Sequence, residues 1–204
     1  MMTDQNTTLL NPSLTSQPGV GTFFPKKPTR ITAAPVEDAP DAIPEVMERL
    51  ATVGTNLAAV HRVCSEAYWT QGKYEDALSH QKMACLMDGG NLEYRNQRGF
   101  LYYLCGHDVE ACQDFLFVVQ NDPSNYEAFF NLGMVEFGLS RYLEAEQCFE
   151  SAVTLSPEDA EIWNNLGVAR YHLGRVKDAR ECFEKAAQLD PEYEEAQGNL
   201  ADLG

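Results

Sequence analysis

The sequence predicts an all-α fold, a solenoid of antiparallel helix pairs, and three observations favour it. Residues 160–193 repeat residues 126–159 at a spacing of 34, and the matched pairs are Phe129 and Trp163, Leu132 and Leu166, Gly133 and Gly167, Ala145 and Ala179, Phe149 and Phe183, Ala152 and Ala186. Prolines recur at the same spacing, at Pro123, Pro157 and Pro191. A glycine or serine recurs inside each unit, at Gly72, Gly106, Ser140 and Gly174. A period of this length is typical of a two-helix unit that stacks on copies of itself.

Residues 1–40 are predicted to form a disordered, proline-rich tail. Its prolines interrupt any helix, and it shows no apolar periodicity. Residues 22–30, TFFPKKPTR, differ from the rest of the tail because they join two phenylalanines to three basic residues. We call them the basic-aromatic segment. They are either a chance cluster in a linker or a short linear motif that binds a partner or folds back onto the acidic solenoid.

Residues 41–57 are predicted to supply an N-terminal capping helix. Pro44 suits the first position of a helix, and Val46, Leu50 and Val53 fall on one face of it. A terminal repeat needs such a cap, since its outer apolar face would otherwise meet water.

Four repeats are predicted at residues 58–91, 92–125, 126–159 and 160–193. The first two are degenerate but keep the frame, and Gly89 stands where the later repeats carry a proline. The prolines mark the turns between repeats, because proline and the residue before it resist continuing a helix. Residues 194–204 are predicted to form a final, solvating helix.

These residues carry a family resemblance. A large apolar residue, then Leu132 and Gly133, is followed at fixed offsets by Ala145, Phe149, Ala152 and Pro157. The pattern resembles the tetratricopeptide repeat (TPR), and it covers about two thirds of the chain. The resemblance implies a right-handed α-α superhelix that binds other proteins. It also implies that the small residue at the eighth repeat position lets the two helices of a repeat approach closely.

By the same resemblance, the partner-binding residues lie on the first helix of each repeat, along the concave face. The groove residues predicted in this way are Arg62, Trp69, Asn96, Phe100, Tyr103, Phe130, Met134, Phe137, Asn164, Val168 and Tyr171. The middle of the set is apolar, which predicts an exposed apolar groove. The alternative is that the twelfth-position aromatics, Trp69, Tyr103, Phe137 and Tyr171, belong to the core.

Two further expectations concern charged residues on the first helices. Glu93, Glu127 and Glu161 recur at one edge of the groove and are suited to a basic flank of the partner. The TPR clamp for acidic chaperone tails is not expected, because glutamates stand where a clamp lysine would be, although Asn131 and Asn165 occupy asparagine-like places. Glu136 and Arg170, at equivalent positions of adjacent repeats, are predicted to form a salt bridge.

Composition argues against several other functions. The net charge of −16 repels phosphate backbones, so neither nucleic acid nor an anionic membrane is an expected partner. No apolar run is long enough to span a bilayer and no secretory signal is visible, which predicts a cytoplasmic protein. The six cysteines contain no Cys-x-x-Cys pair and the four histidines show no metal-ligand spacing. Without a phosphate loop or nucleophile motif, no catalysis, cofactor or metal is expected.

The leading hypothesis is a non-catalytic adaptor or chaperone that binds an apolar or amphipathic segment of a partner in the concave groove. One alternative is a self-associating assembly subunit, in which homo-oligomers form through inner or terminal surfaces. A second is a chaperone of type III secretion translocators, which the acidic, all-TPR composition resembles. A third is an accessory module of an enzyme carried by another chain.

Overall fold

The structure, a computed structural model, describes residues 56–204. Within them the chain is helical from end to end, apart from short turns. In order, the helices are α1 (Leu57–Thr70), α2 (Tyr74–Met87), α3 (Leu92–Leu104), α4 (Asp108–Asn121), α5 (Tyr126–Gly138), α6 (Tyr142–Leu155), α7 (Ala160–His172), α8 (Val176–Leu189) and α9 (Glu194–Asp202). The all-α solenoid is therefore confirmed. The predicted tail, the basic-aromatic segment and all but the last two residues of the predicted capping helix lie outside the described residues.

A polar side chain caps the start of each first helix. Asn56, Asn91, Asn125 and Asp159 precede α1, α3, α5 and α7, and the side chain of each accepts a hydrogen bond from a backbone N–H of the first turn. The Asn125 bond to the Ala128 N–H, for example, is 2.9 Å long. Since the first N–H groups of a helix have no intrahelical acceptor, these caps fix where the first helices begin.

A left-handed residue ends the turn between the two helices of each pair. Gly72, Gly106 and Gly174 have φ angles of 71°, 79° and 77°, and Ser140 has φ 59° at the equivalent place. Glycine adopts this conformation without steric cost, whereas serine is strained there. The chain can therefore reverse direction within a few residues, and the two helices of a pair become antiparallel neighbours.

The helices of each pair touch at the glycines that the repeat pattern singled out. A Cβ atom placed on Gly133 would lie 2.6 Å from Cε1 of Phe149, and one on Gly167 would lie 2.5 Å from Cε1 of Phe183. In the first pair, Ser65 replaces the glycine and donates its hydroxyl to the carbonyl of Ala77 at 2.9 Å. Close approach of the helices therefore depends on a small residue at this position.

Successive pairs stack so that each second helix also packs on the first helix of the next pair. The first helices α3 and α5 also touch directly, which is consistent with the first helices lying on the inner side of the curve. We call α1, α3, α5 and α7 the inner helices. Two large apolar clusters fill the stack, one around Phe100 and Phe115 and the other around Phe149 and Phe183.

Ion pairs cross the seam, the contact between neighbouring helix pairs. The predicted salt bridge between Glu136 and Arg170 is wrong. Arg170 donates to Glu146 and Glu150 of α6, at 3.0 and 2.7 Å. Glu136 instead accepts from Arg141 at 3.0 Å. Glu136 and Arg170 therefore do not pair with each other. Glu136 pairs with Arg141, which directly precedes α6, and Arg170 pairs with two glutamates of α6.

Helix α9 covers the last pair. Ala196 and Asn199 are its buried residues, and Asn199 donates to the side-chain oxygen of Asn164 in α7 at 2.8 Å. Arg180 of α8 donates to the backbone carbonyls of Leu203 and Gly204. These bonds hold the end of the chain against the stack.

Candidate functional site

A column of glutamates follows the starts of the inner helices. Glu93, Glu127 and Glu161 lie in the first turns of α3, α5 and α7, and Glu195 continues the 34-residue spacing into α9. A carboxylate in the first turn is favourable on structural grounds, because the start of a helix carries a partial positive charge. The column places a glutamate at the equivalent position of four helices, α3, α5, α7 and α9.

Next to this column, at the end of the array, lies a cavity of about 420 Å³. Its lining residues are Ser156, Glu158, Asp159, Ala160, Glu161, Leu189, Asp190 and Tyr193. Four of them are carboxylates and none is basic. A site of this composition attracts cations and repels anionic groups. Sequence analysis did not predict this cavity. Glu195, which lies 34 residues after Glu161, could have indicated that the acidic edge continues into α9.

Three asparagine side chains on the inner helices are not fully hydrogen-bonded. The Oδ1 atoms of Asn96, Asn131 and Asn165 are buried and have no hydrogen-bond partner among residues 56–204. Asn131 and Asn165 follow Glu127 and Glu161 by one helical turn, so each shares a helix face with its glutamate. Buried acceptors of this kind are rare, and each costs about 1–3 kcal/mol when no donor reaches it. Because these oxygens have almost no accessible surface, they belong to the interior of the stack and not to its binding surface.

The predicted exposure of the apolar groove is wrong. Phe100, Phe130 and Met134 are 2%, 3% and 1% exposed, and Phe130 packs on Phe149 with ring centroids 5.8 Å apart. These side chains belong to the core clusters. Resemblance placed them on the inner face, but large apolar side chains lower the free energy more when neighbouring helices cover them.

The remaining groove residues divide between core and surface. Trp69, Phe137, Val168 and Asn164 are buried, so Trp69 and Phe137 follow the alternative in which twelfth-position aromatics pack inside. Tyr103 and Tyr171, at the same repeat position, are half-buried, as are Asn96 and Arg62. Arg62 pairs with Glu66 one turn away on α1. The half-buried residues are the ones a partner can still reach.

The structure also brings together two histidines that sequence spacing kept apart. Nδ1 of His61 in α1 lies 3.0 Å from Nδ1 of His80 in α2, and the ring of Tyr68 stacks on His80. Burial, and then the charge of His61, lower the pKa of His80, while Asp76 acts in the opposite direction. Among residues 56–204, no group of three or more His, Cys, Asp or Glu side chains is arranged to hold a metal ion.

The six cysteines are free thiols. Burial raises the pKa of Cys112 and of Cys148 to about 12, with nearby Glu136 adding to the effect. A thiol with such a pKa is protonated at neutral pH, and only the thiolate is a good nucleophile. These two cysteines are therefore packing residues.

No helix between residues 56 and 204 combines the length and the apolar character needed to cross a membrane.

Comparison with known proteins places this geometry in a family. Residues 110–157 and 130–194 match the family model described as tetratricopeptide repeat. No curated protein matches the chain significantly. Among solved structures, MamA 41-end from Desulfovibrio magneticus RS-1 is 25% identical with a TM-score of 0.69, over 72% of this chain and 84% of that one.

Two other similar structures carry ligand information in their descriptions. YrrB, described as a TPR protein with an unusual peptide-binding site, is 19% identical with a TM-score of 0.66, over 76% of this chain and 84% of that one. The first TPR of Spaghetti (RPAP3), bound to the HSP90 peptide SRMEEVD, is 24% identical with a TM-score of 0.54, over 55% of this chain and 89% of that one. At these identities both support the fold alone.

Proposed function

Because residues 110–194 match the tetratricopeptide repeat family, we propose that this chain is a non-catalytic protein-interaction module whose inner face binds an extended, basic segment of a partner protein. One observation carries the proposal. Glu93, Glu127 and Glu161 recur in the first turns of three successive inner helices, and the cavity beside Glu161 is lined by four carboxylates.

The chemistry of these groups defines the ligand. Carboxylates are acceptors, so the ligand must supply donors. An extended peptide offers a backbone N–H at nearly every residue, and lysine or arginine side chains add charge-assisted bonds to the glutamates. An acidic peptide such as the SRMEEVD bound to the similar RPAP3 domain would be repelled by Glu127 and Glu161.

The apolar contribution to binding is smaller than the sequence predicted. Phe130 and Met134 are in the core, which leaves half-buried Tyr103, Leu104 and Tyr171 as the apolar part of the inner surface. Tyrosine suits such a site, because one end of its side chain is apolar and the other forms hydrogen bonds. The partner segment we propose is therefore basic and amphipathic. Adaptor and chaperone both remain consistent with this class of ligand.

Selection of peptides on the full chain tests the proposal. Random 12-residue peptides displayed on phage should yield sequences rich in lysine and arginine, and their affinity should fall as salt is raised. The variant Glu127→Lys with Glu161→Lys should lose at least ten-fold in affinity for a selected peptide.

The matched control is Glu110→Lys with Glu144→Lys. These two glutamates are exposed, lie in the first turns of α4 and α6, and are also 34 residues apart, so the change in charge and helix position is the same. The control should bind like the wild type. Selection of acidic peptides, or equal losses in the two variants, would contradict the proposal.

A second candidate function is self-assembly. Some large apolar side chains are exposed on the second helices, among them Leu86 (77%) and Val109 (63%). Such residues favour association when they form a patch. Light scattering of the full chain over a range of concentrations tests this candidate: a stable oligomer that Leu86→Ser with Val109→Ser dissociates would favour it, and a monomer throughout would reject it.

A further inference from the structure

His61 and His80 form a pair of imidazoles that the proposed function does not use. They lie on α1 and α2, 19 residues apart in the sequence, and the Nδ1 atoms of the two rings are 3.0 Å apart. Both side chains are only half-buried, so water and dissolved ions reach them. We propose that these two nitrogens bind a divalent transition-metal ion, Cu²⁺ or Ni²⁺, whose other coordination positions are filled by oxygen ligands.

The distance between the two nitrogens suits a shared ion. A bond from an imidazole nitrogen to such a metal is about 2.0–2.1 Å long. Two of these bonds that meet at about 90° place their nitrogens about 2.9 Å apart, whereas the tetrahedral angle that Zn²⁺ prefers places them about 3.3 Å apart. The observed 3.0 Å is closer to the first value. The pair therefore fits two adjacent positions of the square-planar or tetragonal geometry that Cu²⁺ and Ni²⁺ adopt with nitrogen and oxygen ligands.

The two rings can hold their protons in a way that suits either state. Without an ion, one neutral ring donates its Nδ1–H to the Nδ1 lone pair of the other, which accounts for the 3.0 Å contact. An ion needs a lone pair on both Nδ1 atoms. The bridging proton then moves through water to Nε2 of its own ring, so the neutral pair neither gains nor loses a proton when the ion binds.

Neighbouring side chains orient the pair and supply an acidic oxygen. The ring of Tyr68 stacks on His80 with centroids 5.3 Å apart, which restricts the orientation of His80. The His61 ring is inclined to it by 39°, and a small rotation of His61 about its broad second torsion directs both lone pairs at one ion. Asp76 is exposed, precedes His80 by one turn of α2 and lies close enough for its charge to act on His80. Its carboxylate can hold a water molecule bound to the ion.

Calorimetric titration of the untagged full chain with Ni²⁺ tests the inference. Ni²⁺ is the probe because Cu²⁺ also oxidises thiols, and the six cysteines are free. The wild type should bind Ni²⁺, and His61→Gln and His80→Gln should each weaken that binding at least ten-fold. His107→Gln is the control, since it removes an exposed histidine, and it should bind like the wild type. No binding to the wild type, or unchanged affinity in either of the first two variants, would overturn the inference.

Stability measurements test whether both helices hold the ion. Because α1 and α2 each contribute one ligand, an ion bound at the pair favours the folded state over the unfolded one. Ni²⁺ should therefore raise the urea midpoint of the wild type and of His107→Gln, and should leave His61→Gln and His80→Gln nearly unchanged. An equal rise in all four chains would place the ion elsewhere and overturn the inference.

Proton NMR of the wild-type chain supplies a measurement that does not depend on how the His61 and His80 variants fold. Ni²⁺ is paramagnetic and broadens the signals of protons close to it. A small fraction of an equivalent should broaden the ring signals of two of the four histidines together. These should not be the signals that disappear in His107→Gln or in His172→Gln. Broadening of either of those signals first, or of one histidine alone, would overturn the inference.

Discussion

The guanidinium of Arg170 in α7 binds the carboxylate of Glu146 in α6 across the seam between the third and fourth helix pairs, with Nε and Oε1 3.0 Å apart. Arg175 binds the same carboxylate at 2.7 Å. One repeat earlier, the positions equivalent to Arg170, Arg175 and Glu146 hold Glu136, Arg141 and Cys112, and the Cys112 thiol donates to Glu136. The same three positions therefore interact at both seams. The acidic residue is on the second helix at the later seam, as Glu146, and on the first helix at the earlier one, as Glu136.

Replacing Glu146 by glutamine should destabilise the fold by about 2–3 kcal/mol. The carboxylate is 4% exposed, and its loss leaves Arg170, itself only 21% exposed, without its buried partner. Urea unfolding followed by circular dichroism measures the effect. Glu150→Gln is the control, because Glu150 is 49% exposed and pairs with the same arginine, so we expect a cost of about 0–1 kcal/mol. Equal costs for the two variants would mean that burial of the seam pair contributes nothing.

The sequence was sufficient to predict the all-α solenoid but not the pairing of charges. Helix starts, turns and small contact residues follow from local rules that act within one 34-residue unit, so periodicity reveals them. Charge partners depend on side-chain rotamers around a seam of two elements. Glu136 and Arg170 are equivalent residues, yet each finds a nearer partner, Arg141 and Glu146, than the other.

Replacing Gly167 by alanine should cost about 1–3 kcal/mol. The added Cβ would lie 2.5 Å from Cε1 of Phe183 and 3.1 Å from Cβ of Cys182, so the two helices must separate. Gly138→Ala is the matched control, since no atom lies within 4 Å of its added Cβ. There we expect no loss, and a gain of up to about 1 kcal/mol from helix propensity. Midpoints of urea unfolding compare the two variants. An unchanged midpoint in Gly167→Ala would contradict close packing between α7 and α8.

Stability should decrease as the pH falls from 7.5 to 5.5, and His80 should account for part of the decrease. The folded chain holds the pKa of His80 below its ordinary value of 6.5, so the unfolded chain binds the proton more readily. Stability therefore rises with pH across this window and is lost as His80 becomes protonated. His61 and Asp76 are the charged groups that face it.

Unfolding in urea at the two pH values measures this dependence. In His80→Gln the difference between pH 7.5 and pH 5.5 should be smaller than in the wild type. His107→Gln, which alters an exposed histidine, should leave the difference unchanged. An identical pH dependence in all three chains would show that the His61–His80 contact does not resist protonation.

The candidate site was predicted less well than the fold. Resemblance correctly placed Asn131, Asn165 and the glutamates on the inner helices, because each is fixed by its position in the repeat. It could not give the depth of the apolar residues, which depends on how closely neighbouring pairs stack. Tyr103 and Phe137 occupy the same repeat position, yet one is half-buried and the other is buried.

Phe130→Glu together with Met134→Glu should unfold the array between α5 and α8. The two positions are 3% and 1% exposed, and an unpaired carboxylate at such depth is strongly unfavourable. We expect a large loss of ellipticity at 222 nm at neutral pH. Phe130→Leu with Met134→Leu keeps the volume more nearly constant and should cost less than about 1.5 kcal/mol for each change. Tyr103→Ser with Tyr171→Ser, at half-buried positions, should instead keep full helicity and weaken peptide binding. Full helicity in the double-glutamate variant would indicate that Phe130 and Met134 are exposed. It would then support the exposed apolar groove that the sequence predicted.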